Sequence, residues 1–213
     1  MHIPDGFLDP AIAASTYIVS IGFLAYAFYK AKKTLTPEKM SMLAVVAAGV
    51  FAAQMLNWPI PGGTSLHFVG GALAAILMGP WLGIASIFLV LLVQCLVFHD
   101  GGITALGANV LNMAIIDVFV GYLCYKAACK WGGGDLAKAL GAFLGGWLGI
   151  ALAGIACGFE IGFSTQFPFG WTVTVPIMGG WHLVLGIVEG IITSSVVLYI
   201  AKRAPELIAA ERG

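Results

Sequence analysis

Charge is scarce in this sequence. Ten Lys+Arg and ten Asp+Glu make up 9% of its 213 residues, where a soluble domain carries about a quarter, so the chain has too little charge to wet a globular surface. The two signs cancel, which excludes a nucleic-acid binder recruited by bulk positive charge. The four cysteines (Cys95, Cys124, Cys129, Cys157) form no C-x-x-C pair and lie in or beside apolar runs. They read as small buried hydrophobes, not as metal ligands or disulfides. No G-x-x-x-x-G-K-[ST] is present, so the chain carries no P-loop for nucleotide hydrolysis of its own. No H-E-x-x-H or comparable pair of histidines four apart occurs, which speaks against a membrane metalloenzyme. The first nine residues, MHIPDGFLD, hold no Lys or Arg and no apolar run, so no cleavable signal is expected.

What fills the chain instead is apolar: 60% hydrophobic residues, mean hydropathy +0.98 and 29 glycines. Glycine at that level suits helices packed backbone to backbone in lipid. The expectation is an all-α polytopic bundle forming one transmembrane domain over 1–213. A span needs about 20 apolar residues, and breakers delimit seven candidates at about 10–29, 41–57, 66–79, 81–98, 104–126, 138–158 and 178–201. Periodicity does not say whether 66–98 is one helix or a hairpin broken at Gly79-Pro80, so charge must decide. With a hairpin and the N-terminus outside, Lys30, Lys32, Lys33, Lys39, Lys126, Lys130, Lys138, Lys202, Arg203 and Arg212 all fall inside. A single helix would put the first two clusters on opposite sides, against the positive-inside bias. Seven spans, N-terminus outside and C-terminus cytoplasmic, is the reading. Trp58, Trp171 and Trp181 then mark the outer boundary, Trp81 and Trp131 the inner one. Gly141, Gly145 and Gly149, and Ala44, Ala48 and Ala52, recur every four residues as packing faces within the bundle or toward a partner subunit.

This topology puts His2, His67, His99 and His182 on one side of the membrane, with Asp5, Asp9, Gln54, Asn57, Thr64, Ser65, Asp100, Asn109, Asn112 and Glu160. A pocket rich in imidazole and poor in basic residues suits a divalent transition metal. The opening Met1-His2-Ile3-Pro4-Asp5-Gly6 offers three nitrogens in sequence: the Met1 amine, the His2 amide and the His2 imidazole. Bound through Nδ1 they close two nearly coplanar chelate rings, and one more imidazole completes a square-planar set suited to Ni(II) or Cu(II). The amide must lose its proton, so affinity should climb with pH. On spacing alone, an idle tail histidine stands as the other reading.

The start MHIPDGFL, the segment Ser65-Leu66-His67-Phe68-Val69-Gly70-Gly71, and Gly180-Trp181-His182 with Gly186 and Glu189-Gly190 resemble the CbiM/NikM family. These are the substrate-binding (S) subunits of energy-coupling factor (ECF) cobalt and nickel transporters. The resemblance covers essentially the whole chain, and few membrane proteins begin with an uncleaved Met-His-Ile. It implies an N-terminal loop plugged into the bundle from outside. The metal is then held by the amine of Met1, the backbone and side chain of His2, and His67. His99, His182, Asn57 and Glu189 remain candidates for an axial position or for supporting the ligands. The transported substrate is Ni2+ or Co2+, with no organic cofactor. The implied partners are a transmembrane coupling subunit, cytoplasmic ATPase subunits and a small auxiliary membrane subunit, in the cell membrane of a prokaryote. The chain itself is then a non-catalytic binding subunit. The rival reading is a self-sufficient ion-coupled carrier or channel using Asp117 and Glu189, the ionisable residues well inside spans, as a proton relay. Nickel and cobalt are not separated by sequence.

Overall fold

The computed structural model describes residues 1–211; Arg212 and Gly213, and with them the expected cytoplasmic placing of Arg212, lie outside the described residues. The chain forms helices α1 (Pro10–Thr34), α2 (Pro37–Gln54), α3 (Gly71–Met78) and α4 (Pro80–Val97). It continues with α5 (Leu106–Trp131), α6 (Gly134–Phe163) and α7 (Trp171–Arg203). Two-residue strands β1 (Trp58–Pro59) and β2 (Ser65–Leu66) pair antiparallel between α2 and α3. Helices α1, α4, α5, α6 and α7 are long and apolar enough to cross a membrane; α2 and α3 are not among them.

The expected span at 66–79 is corrected. Helix α3 has only 8 residues, about 12 Å at 1.5 Å per residue. Ser65–Leu66 belong to β2 instead, and His67–Gly70 run on without helix. The backbone of that stretch is satisfied by side chains, with Glu189 accepting from the N–H groups of Val69 (3.0 Å) and Gly70 (2.7 Å). Val69 and Gly70 therefore need no helical hydrogen bonds, because their donors already have partners. Every residue of α3 except Leu73 is buried. It packs against α2, α4, α5, α6 and α7, and the 3-10 turn Ala209–Glu211 closes over it. The break after α3 is real: Gly79 sits at φ +82, and Pro80 opens α4 at a position where a missing N–H costs nothing.

The expected start of the last span at 178 is also corrected, because α7 begins at Trp171 and holds Pro176 inside it. Near a helix start, proline forfeits one backbone bond and no more of the ladder. Trp181 and His182 accordingly lie ten and eleven residues into α7, and not at its end. Helix α5 carries π-helical turns over Val110–Ile116 that the sequence did not announce; such bulges gather at functional sites.

The glycine stripe of α6 packs within the chain. A Cβ on Gly141 would stand 3.0 Å from the Tyr125 Cα, and one on Gly145 2.9 Å from the Gly121 carbonyl, both on α5. The other face of α6 meets α7, with Gly146 against Gly190 and Gly158 against Val175. Ala44, Ala48 and Ala52 of α2 are exposed instead. The N-terminal loop, the β hairpin, the start of α3 and the 99–105 loop gather at one end of the bundle. Every described Lys and Arg lies at or near the other end, on the last turns of α1, α5 and α7 or the first turns of α2 and α6.

Candidate metal centre

Residues 1–9 form a seated loop. Met1 and Ile3 are wholly buried and Leu8 nearly so. Asn109, at the threshold of the π turns, grips the Ile3 backbone twice: its Oδ1 accepts from Ile3 N–H at 2.8 Å, and its Nδ2 donates to Ile3 O at 3.1 Å. Gly102 N–H donates to the same carbonyl at 2.8 Å. Asp5 Oδ1 accepts from Thr104 N–H and Oγ1–H at 2.7 and 2.6 Å, and the Thr104 hydroxyl above all holds its carboxyl below the usual range. Asp9 caps α1 through Ala11 and Ile12, while its own N–H donates to Ser164 Oγ. The loop thus ties α1, α5 and the α6–α7 connection together.

At its tip the nitrogens converge. The Met1 amine donates to Ser65 O at 2.5 Å and to Ser65 Oγ at 2.9 Å, and the His2 amide donates to the same Oγ at 3.1 Å. Ser65 lies in β2, two residues before His67, so the hairpin carries both the amine's partner and the candidate fourth ligand. The His2 and His67 rings lie 4.5 Å apart between centroids, tilted by 38°. His67 Nδ1 meets Phe68 O at 2.7 Å, and its Nε2 is buried without a partner. A carbonyl on Nδ1 makes that nitrogen the donor and leaves the Nε2 lone pair free, the arrangement of a ligating histidine. Burial pushes the Met1 amine down from 8.0 to about 5, against the charges of Cys157 and Asp100. Burial and the nearby amine push His2 down to about 3, opposed by a hydrogen bond to the Asp100 backbone. Both groups are neutral at pH 7 and hold lone pairs. Among the described residues no group of three or more His, Cys, Asp or Glu side chains is placed to hold a metal. The candidate donors here are instead an amine, an amide and two imidazoles.

The other candidates lie around this core. His182 Nδ1 meets Met178 O at 2.6 Å, and its Nε2 is buried and unpartnered. Its ring packs on Gly154, where a Cβ would come within 2.6 Å. His99 is exposed, at φ +55, and lines with His2, Asn57, Ser65 and Asp100 a cavity of about 320 Å³ at the mouth. The Asn57 amide donates to both oxygens of Asp100 at 3.2 Å. Burial raises the Asp100 carboxyl, with Asn57 opposing. Glu189 spends both oxygens on Val69 and Gly70, and Asp117 Oδ2 accepts from Gly71 N–H at 2.8 Å. These buried carboxylates therefore hold the segment that carries His67 and starts α3. Gln54 joins them, donating to Val69 O at 2.8 Å. Sequence reasoning named Ser65, Asn109 and Asp100 only as polar groups on this side; their tasks depend on partners 63, 106 and 98 positions away in the chain.

Residues 2–207 match the family model described as CbiM, cobalt uptake substrate-specific transmembrane region. A protein of Archaeoglobus fulgidus named as a fused nickel transport protein, NikMN, is 56% identical over 98% of this chain, which spans 68% of that relative. The cobalt transport protein CbiM of Thermosipho melanesiensis is 31% identical over 95% of this chain and 87% of its own. A crystal structure of a transition metal transporter superposes with a TM-score of 0.91 at 38% identity, covering 100% of this chain and 97% of that one. With a family match over nearly its full length, the chain belongs to the CbiM family of cobalt uptake substrate-specific transmembrane regions.

Proposed function

We propose that this multi-pass membrane protein binds a divalent transition metal, Ni2+ or Co2+, as its transported substrate. The ligands are the Met1 amine, the His2 amide and imidazole Nδ1, and His67 Nε2. The observation that carries this reading is the convergence of Met1 N and His2 N on one Ser65 hydroxyl, beside a His67 Nε2 that is buried and unpartnered. A planar set of four nitrogens suits Ni(II), and the ion would take over the place of the Ser65 contacts. His99, His182 and Asn57 are held as axial or supporting groups, and Glu189 as a support of the His67 segment.

The site faces outside and the basic end faces the cytoplasm, in accord with the positive-inside bias. All seven helices are threaded through or into the bilayer, and α3 is shielded from lipid by its neighbours, as so short a helix must be. The chain acts as the non-catalytic binding subunit of an ECF-type transporter in the cell membrane of a prokaryote. A transmembrane coupling subunit, cytoplasmic ATPase subunits and an auxiliary membrane subunit drive inward delivery. Relatives named as fused NikMN proteins extend beyond the region this chain matches, which supports a need for further components. Glu189 is committed at both oxygens to the backbone donors of Val69 and Gly70, which favours this reading over a self-sufficient proton-coupled carrier that would use it as a relay. Metal analysis of the purified protein, with calorimetric titration of Ni2+ and Co2+, tests it. One tightly bound ion per chain, lost in His67→Ala, is expected; absence of stoichiometric binding of either ion would refute it.

A further inference from the structure

His2 has a ring nitrogen for which the chelate finds no use. Nε2 is buried, His2 being only 3% exposed, and it lacks a hydrogen-bond partner. Ligation at Nδ1 leaves the imidazole proton on Nε2, which must then find an acceptor or remain a buried, unpaired donor. An acceptor is near: Asp100 Oδ2 stands 3.9 Å from Nε2.

Asp100 is built to wait there. Asn57 donates to both its carboxylate oxygens at 3.2 Å, and its N–H donates to Gln94 O at 3.0 Å. It sits between two left-handed residues, His99 at φ +55 and Gly101 at φ +91. A histidine in that region is uncommon, and such strain concentrates where a turn must present a group. The distance of 3.9 Å exceeds a formed hydrogen bond by about 1 Å. The mouth cavity of about 320 Å³ beside the ring gives it space to close.

We propose that Asp100, held by Asn57, is the positioning residue of the His2 ligand. When the metal takes Nδ1, the Nε2–H closes onto Asp100 Oδ2. The Asn57–Asp100–His2 chain then fixes the ring's tautomer and plane and strengthens Nδ1 as a donor, as carboxylates do for ligating histidines. This rests on the assignment of His2 as a ligand.

The test titrates Ni2+ into purified full-length protein and its Asp100→Asn, Asp100→Glu and His2→Ala variants. It follows affinity, association and release rates, the absorption of bound nickel and the melting temperature of metal-free protein. Asp100→Asn should weaken Ni2+ binding about 10–100-fold through faster release. It should also shift the nickel absorption band and leave metal-free melting unchanged, and Asp100→Glu should recover most of the loss. Unchanged affinity and absorption would overturn the proposal. So would a loss confined to the association rate and erased by salt, which would make Asp100 an electrostatic attractor. A loss matched by lower metal-free melting with an unmoved band would assign it a structural role and overturn the proposal too. If His2→Ala keeps full affinity, the ligand assignment itself fails, a result separate from any effect at Asp100.

Discussion

One glycine placed ahead of Met1 puts the candidate site under its hardest strain. Met1 is wholly buried, and its amine is 2.5 and 2.9 Å from the two oxygens of Ser65. An added residue carries about 3.3–3.6 Å of chain into a space that those contacts already fill. It also converts the amine into an amide, so the first nitrogen loses its ready lone pair even if the loop reseats. Loss of a group that merely orients a ligand costs 10–100-fold in metal affinity. Loss of one of four donors should exceed the top of that range, at least ~100-fold or about 3 kcal/mol. The assay is calorimetric titration of Ni2+ into detergent-purified protein, each form released by a protease that leaves either Met1 or Gly-Met1 at the start. Metal-free melting of both forms separates loss of binding from loss of fold. A tag after Gly213, a position outside the described residues, is expected to leave affinity unchanged. Gly-Met1 protein binding Ni2+ within threefold of the parent would refute the amine ligand.

His67→Ala should cost more Ni2+ affinity than His99→Ala or His182→Ala, since it alone of the three offers a free Nε2 beside His2; a larger loss at His99 in the same titration would reverse the assignment. Because the buried amine is neutral down to about pH 5, the proton lost on binding between pH 6 and 8 is the His2 amide's. Nickel affinity should then rise about tenfold per pH unit, and a hundredfold rise per unit would mean that the amine is protonated in the metal-free protein. The same depressed amine makes loop seating weaken as pH falls from 8 toward 5, because the unseated chain binds the proton the seated one refuses; hydrogen exchange at Ile3 N–H should quicken across that window. Gly101→Ala places a Cβ 2.9 Å from Asn109 Nδ2 and 3.1 Å from His2 Nδ1 at φ +91. Steric and backbone strain of order 1–3 kcal/mol should weaken Ni2+ binding roughly 5–160-fold while secondary structure by circular dichroism is kept. For sidedness, a cysteine at exposed Ile103 should label from outside and one at exposed Gly133 only from inside; outside labelling at Gly133 would overturn the proposed topology.

The membrane class, the break at Gly79-Pro80 and the run of three nitrogens in Met1-His2 could be read from the sequence because each depends on neighbours in the chain. Scarce charge is a property of composition. A glycine before a proline breaks a helix by its own geometry, and three chelating nitrogens in two residues need no fold to be adjacent. Lysines at the ends of apolar runs likewise marked one end of the bundle before any packing was known.

The tertiary structure decided what distant residues do for one another. His67–Gly70 look apolar enough to extend a helix, yet Glu189 and Gln54 satisfy their backbone across the bundle, and so α3 is one short, buried helix. Pro176 looks like a stop, yet α7 passes through it because packing outweighs one lost backbone bond. The glycines of α6 could have faced a partner or a neighbour, and only the α5 and α7 backbones, 2.8–3.1 Å from where a Cβ would stand, show that they serve this bundle. Nothing beside Ser65 and Asn109 in the chain announces their partners; they matter because folding brings them to Met1 and Ile3. Asp117 and Glu189 show the same limit from the other side. Both oxygens of Glu189 and one of Asp117 accept from backbone donors 120, 119 and 46 residues away, partners that no local signal announces. Local chemistry is written in sequence order, but the satisfaction of a buried polar group is a property of three-dimensional neighbours, and no periodicity along the chain encodes it.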